Sequence, residues 1–135
     1  HHKLPLEGGV DVIAVGSLAF KRFLEIAVLL GLDVRVVTDN DEDVAALEKK
    51  YAEYLTGNLA KIKICYDQDE TYPTLEPQLL KANPRDLLNT ILGKQFPDDE
   101  ALLKYMNGNK TECALCMFES DTAWTTPRYI ADAIE

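Results

Sequence analysis

Val34-Arg35-Val36-Val37-Thr38-Asp39-Asn40-Asp41-Glu42-Asp43 decides how this chain is read. A short run rich in β-branched valine stops at an acid-rich turn, and the apolar spacing of a helix begins directly after it. In layered α/β folds, ligands gather outside the carboxyl ends of parallel strands. Asp39 and Asp41, two residues apart at such an end, are therefore placed to offer oxygen ligands to a divalent cation. Capping a helix or shaping a turn needs one carboxylate. Here Asp39, Asp41, Glu42 and Asp43 crowd together, and a cation relieves their mutual repulsion.

The pattern extends in both directions. Asp11 to Val15 (DVIAV) predicts a strand buried on both faces and closed by Gly16-Ser17, with Ser17 as the N-cap of the next helix. That helix runs over residues 18–30, with Leu18, Phe20, Phe23, Leu24, Ala27 and Val28 at helical spacing and Gly31 as its stop. Val34 to Thr38 is the second strand. Residues 43–55 form a second helix, striped by Val44, Leu47, Tyr51 and Tyr54 and ended by Gly57. Residues 61–66 (KIKICY) form a third strand nearer an edge. Strands alternating with helices imply parallel crossovers, hence a layered α/β sheet. Beyond the polar loop 67–73, helices are predicted over 75–82, 84–92, 98–106, 111–119 and 128–134. Residues 3–135 then make one domain with a helical C-terminal third. His1 and His2 read as the remnant of a purification tag and are excluded as metal ligands.

With 135 residues the chain can bury a proper core. Twenty-three Asp and Glu against fourteen Lys and Arg give a net charge of -9, which repels polyanions unless metal ions or another domain alter the local field. No apolar run approaches the roughly 18 residues of a membrane span, so no membrane partner is expected. Cys65, Cys113 and Cys116 are too few for a disulfide framework and no signal-peptide pattern is present, so a cytoplasmic setting is expected. Cys113-x-x-Cys116 falls within a predicted helix, without a second pair or a nearby His, and reads as helix packing.

Two further residues are candidates. Glu76, in Thr74-Leu75-Glu76-Pro77, opens a helix just after the third strand; the helix dipole favours it there, and its position also lets it reach the sheet edge that carries Asp39. Lys110 opens a helix after Asn107-Gly108-Asn109, where the dipole disfavours a cation, and a residue that breaks a local rule points toward function. Glu7-Gly8-Gly9-Val10-Asp11 has the Glu-Gly-x-x-Asp form of the first acidic motif of TOPRIM domains. The strand expected from Asp11 leaves no room for the helix that should follow it, so Glu7 is assigned to a surface turn.

Taken together, residues 4–17, Phe20-Lys21-Arg22-Phe23-Leu24-Glu25-Ile26-Ala27, Val36-Val37-Thr38-Asp39-Asn40-Asp41, Thr74-Leu75-Glu76, Lys110-Thr111-Glu112 and Pro127-Arg128-Tyr129-Ile130 resemble the TOPRIM nuclease domain of the OLD (overcoming lysogenization defect) family of ATP-dependent endonucleases. The resemblance implies a TOPRIM-like, Rossmann-like sheet of parallel strands with flanking helices. It makes Asp39, Asp41 and Glu76 metal ligands for Mg2+ or Mn2+, with two ions in the complete domain. It makes Lys110 the lysine that stabilises charge at the scissile phosphate, and Gly16 the glycine ending the domain's second strand. DNA is the implied substrate, and an ATPase domain of the full-length protein the implied partner. The chain departs from the pattern in two places. Glu42 stands where the family carries glycine, and the family's first strand, acidic motif and following helix would lie upstream of Lys3. The fragment alone is therefore expected to cleave DNA weakly or not at all, and its unpaired sheet edge to favour a homo-oligomer. Two rival readings are a haloacid-dehalogenase-like phosphatase with Asp39 as nucleophile, and a non-catalytic Mg-binding interaction module.

Overall fold

Residues 8–16, 20–55 and 61–134 are described by the structure, a computed structural model. The tag residues, Glu7, Ser17, Leu18 and Gly57 lie outside them. The elements in chain order are α1 (Phe20–Leu30), β1 (Val34–Val37), α2 (Val44–Lys50), α3 (Ala52–Leu55), β2 (Ile62–Cys65), α4 (Leu75–Ala82), α5 (Arg85–Leu92), α6 (Asp99–Gly108), α7 (Lys110–Glu119) and α8 (Arg128–Ile134). The fold class is α/β.

β1 and β2 pair in parallel, with Val34 opposite Ile62 and Val37 opposite Cys65. Parallel neighbours cannot be joined by a tight turn, and the crossover here runs through α2 and α3. The ladder continues one step beyond the strands, where Thr38 N–H donates to the Cys65 carbonyl at 3.1 Å. The segments leaving both strands, Asp39 to Asp43 and Tyr66 to Asp69, therefore emerge side by side at one rim.

Two apolar clusters hold the chain. The first joins α1 (Leu24, Ala27), β1 (Val36), β2 (Ile62, Ile64) and the crossover (Leu47, Tyr51, Tyr54). The second joins α4 to α7 through Leu79, Leu88, Leu92, Leu102, Met106, Cys113 and Met117. Leu88 and Leu102 are fully buried, each adding roughly 1.5–3 kcal/mol of transfer free energy. Cys113 packs in this second cluster and the cysteines are unpaired, as helix packing requires. α8 lies against both strands. Its approach is clamped by buried Asn83, whose side chain accepts from Thr125 N–H at 2.7 Å and donates to the Thr125 carbonyl at 2.9 Å.

Two expectations are corrected. Residues 11–15 form no strand, and the sheet among the described residues has two strands rather than three. Val12 is 83% and Ile13 63% exposed. A strand needs a neighbour to take its backbone hydrogen bonds and a layer to cover its side chains, and this segment has neither among the described residues. The single helix expected over 43–55 is broken at Tyr51, whose backbone leaves helical geometry (φ -106°, ψ 14°) while its ring is buried in the first cluster. Packing of that ring overrides the local periodicity. No helix among the described residues is long and apolar enough to cross a membrane.

Candidate metal and phosphate site at the sheet rim

The turn after β1 is built around Asn40. Buried at the rim, it donates from Nδ2 to the carbonyls of Asp67 (2.9 Å) and Asp69 (3.1 Å), and its Oδ1 accepts the Glu42 N–H at 3.0 Å. The turn is held from a second side by Asp41 N–H donating to the Pro73 carbonyl at 3.2 Å. Asp43 caps α2 by accepting the Ala46 N–H at 2.8 Å, and the exposed Glu70 carboxylate accepts the Val44 N–H. The crowded acids thus divide their work: Asp43 caps, whereas Asp39 and Asp41 are left at the rim.

Asp41 (φ 51°) and Glu42 (φ 64°) both lie in the left-handed region, which costs an L-residue roughly 1–2 kcal/mol. The Glu42 backbone has the conformation that glycine accepts without strain. Glu42→Gly should therefore stabilise the protein by up to about 1 kcal/mol, part of the relieved strain being lost to the freer unfolded chain. A lower denaturation midpoint for that variant would contradict this account of the turn.

Glu76, in the first turn of α4, is 6% exposed. Its Oε1 meets the Lys110 ammonium at 2.8 Å, and its Oε2 accepts from the Thr74 hydroxyl at 3.1 Å. Burial pushes the Glu76 carboxyl up, but Lys110 and Thr74 outweigh it and hold the group below its ordinary range. Lys110 is raised in turn, chiefly by its hydrogen bond to Glu76. Lys110 is the first residue of α7, and the Asn109 side chain turns back to the Tyr105 carbonyl rather than capping that helix. The cation at the positive end of the helix is offset by the carboxylate it faces.

Asp39 is half-buried, and its carboxyl is pushed above its ordinary range. Burial is the largest cause, followed by Asp41; Glu76 adds to it, while a hydrogen bond from Tyr129 and the charge of Lys110 oppose it. Asp39 thus feels Asp41, Glu76 and Lys110, although these come from the β1 turn, α4 and α7. Two residues near this rim were missed. Tyr129, buried on α8, donates to Asp39 Oδ1 at 3.4 Å. Lys81 bridges Asp67 (2.9 Å) and Asp69 (3.3 Å) on the neighbouring loop.

Hard carboxylate oxygens suit Mg2+ or Mn2+, and Asp39 is raised first by burial and then by its acidic neighbour Asp41. Even so, no three His, Cys, Asp or Glu side chains among the described residues stand close enough to hold one metal ion. Asp39 and Asp41 lie in the rim turn, and Glu76 is engaged by Lys110. The chain matches no protein-family model, no curated protein and no solved structure.

Proposed function

We propose that this chain is a TOPRIM-type nuclease domain like that of the OLD-family ATP-dependent endonucleases, hydrolysing DNA phosphodiesters with Mg2+ or Mn2+. What supports the reading is the position of Asp39 and Asp41 in the turn at the carboxyl rim of a parallel strand pair, with the Glu76–Lys110 ion pair close enough to act on Asp39. Asp39 and Asp41 would hold a cation, and Glu76 would join them on release from Lys110, together with acids that the resemblance places upstream. When bound, such ions activate a water and stabilise the leaving oxygen. Lys110, once released, offsets charge on the phosphate undergoing substitution. A cleft of about 520 Å³, lined in part by Lys81 and Arg128, shares Asp67 and Gln78 with the residues around Asp39. The ATPase domain of a longer protein would supply basic surface that a chain of net charge -9 lacks.

The test is nicking of supercoiled plasmid in Mn2+ by this chain extended upstream to include the acidic strand of the resemblance. Nicking that depends on Mn2+ and disappears in Asp39→Ala is the expected result. An extended chain that binds Mn2+ but leaves plasmid intact would move the assignment to a non-catalytic module.

A further inference from the structure

Among the described residues, β1 has a partner on one side only. Val34 and Thr38 donate to the Lys61 and Cys65 carbonyls at 2.7 and 3.1 Å, so the alternation of the strand turns the backbone N–H and C=O of Arg35 and Val37 to the opposite edge. The cover stops short at the same place. Val37 and Cys65 are register partners on the face against α8, yet Cys65 is buried and Val37 is 41% exposed. On α1, Leu24 and Ala27 point into the first cluster, but Phe23, Ile26 and Leu30 form a second apolar stripe on the flank beside them, and that stripe is exposed. A helix apolar around most of its circumference belongs inside a larger core.

The segment before α1 has the complementary lack. Val12 and Ile13 have the β-branched composition of a strand, stand exposed, and meet no pairing strand among the described residues. We propose that two copies of the chain associate through this face, the Val12–Ile13 segment of each adding as a third strand to the outer edge of β1 in the other. Such a reciprocal exchange closes both edges at once, which an open edge beside an exposed apolar segment otherwise leaves available. Charge points to the same face. Residues 8–37 hold Lys21, Arg22 and Arg35 against Asp11, Glu25 and Asp33, three against three, so none of the net charge of -9 falls there and two acidic chains meet where they repel least. The α1 stripe with Val12, Ile13 and Val37 opens on the order of several hundred Å² of apolar surface, so two such faces reach the roughly 1,000 Å² of a specific interface. The association is independent of the proposed nuclease reaction.

The experiment is sedimentation equilibrium of the chain over a wide concentration range, joined to amide hydrogen exchange at the two ends of that range. Wild type is expected to pass from monomer to dimer, with the Arg35 and Val37 amides gaining protection as the dimer forms. Ile13→Lys puts a charge on the added strand and should weaken the dimer by at least roughly tenfold. Leu29→Lys, the same change on the polar side of α1 beside Lys21, Arg22 and Glu25, should leave it intact. A wild-type chain that stays monomeric overturns the inference, as does a dimer that Ile13→Lys leaves untouched. Protection of Arg35 and Val37 that does not change with concentration also overturns it: present throughout, the edge is closed within one chain; absent throughout, it stays open. Should Ile13→Lys not fold, the exchange of the wild-type amides decides alone.

Discussion

Asp39→Asn is expected to abolish the response to Mn2+ while making the metal-free protein more stable. Losing a ligating carboxylate should weaken metal binding by more than roughly 100-fold, beyond the loss caused by removing a ligand's hydrogen-bonding neighbour. The gain in stability follows from the same group. Asp39 is raised by burial, then by Asp41 and Glu76, so the folded state holds its proton more tightly than the unfolded chain does. Such an acid destabilises the fold once it ionises. The penalty is fully present above the raised folded value and vanishes as pH falls below the ordinary value of 3.8. The asparagine variant should therefore melt higher at pH 7 and lose that advantage as pH falls below 3.8. A variant that is less stable at pH 7 would show that Asp39 serves the fold, and the site reading would lose its principal ligand.

The second large effect concerns Lys110, whose removal is expected to act in opposite directions on two measurements. In the metal-free protein its ammonium lies 2.8 Å from Glu76 and occupies the acid that a cation would take. Lys110→Met frees Glu76 and should tighten Mn2+ binding several-fold. Under the proposed function it also removes the charge that would meet the phosphate, which should slow cleavage by the upstream-extended chain by roughly 10²–10³-fold. A merely structural ion pair would weaken both together. The pH dependence carries the same signature. Glu76 is held below its ordinary 4.5, so its contribution to stability is present above that value and is lost as pH falls through its folded value. Lys110→Met should blunt this acid sensitivity.

Much of the helical part was legible because its signals are local. Thr74-Leu75-Glu76-Pro77 marks the start of α4, Gly93 in the left-handed conformation (φ 62°) closes α5, and Asp98 caps α6 through Ala101 N–H. The two strands that formed were also read correctly, since valine and isoleucine alternate there beneath a covering layer. The strand expected over Asp11 to Val15 failed for a reason that local pattern cannot carry: an apolar run becomes a strand only when a partner edge receives it. Asp39, Asp41, Glu76 and Lys110 were visible as acids and a cation at element ends. Asn40 and Tyr129 were not, because their roles depend on contacts to Asp67, Asp69 and Asp39 that lie 27, 29 and 90 residues away. A buried asparagine in an acidic turn looks, in sequence, like one more polar turn residue.

The central claim is that acids from separate segments share a cation at the carboxyl rim of the β1–β2 pair. Anomalous diffraction from crystals of the chain soaked in Mn2+ tests it most directly. The account predicts a manganese peak against the carboxylates of Asp39 and Asp41, with Glu76 turned from Lys110 toward the ion. A crystal saturated with Mn2+ that shows no peak at Asp39, with the Glu76 and Lys110 pair still closed, would contradict it.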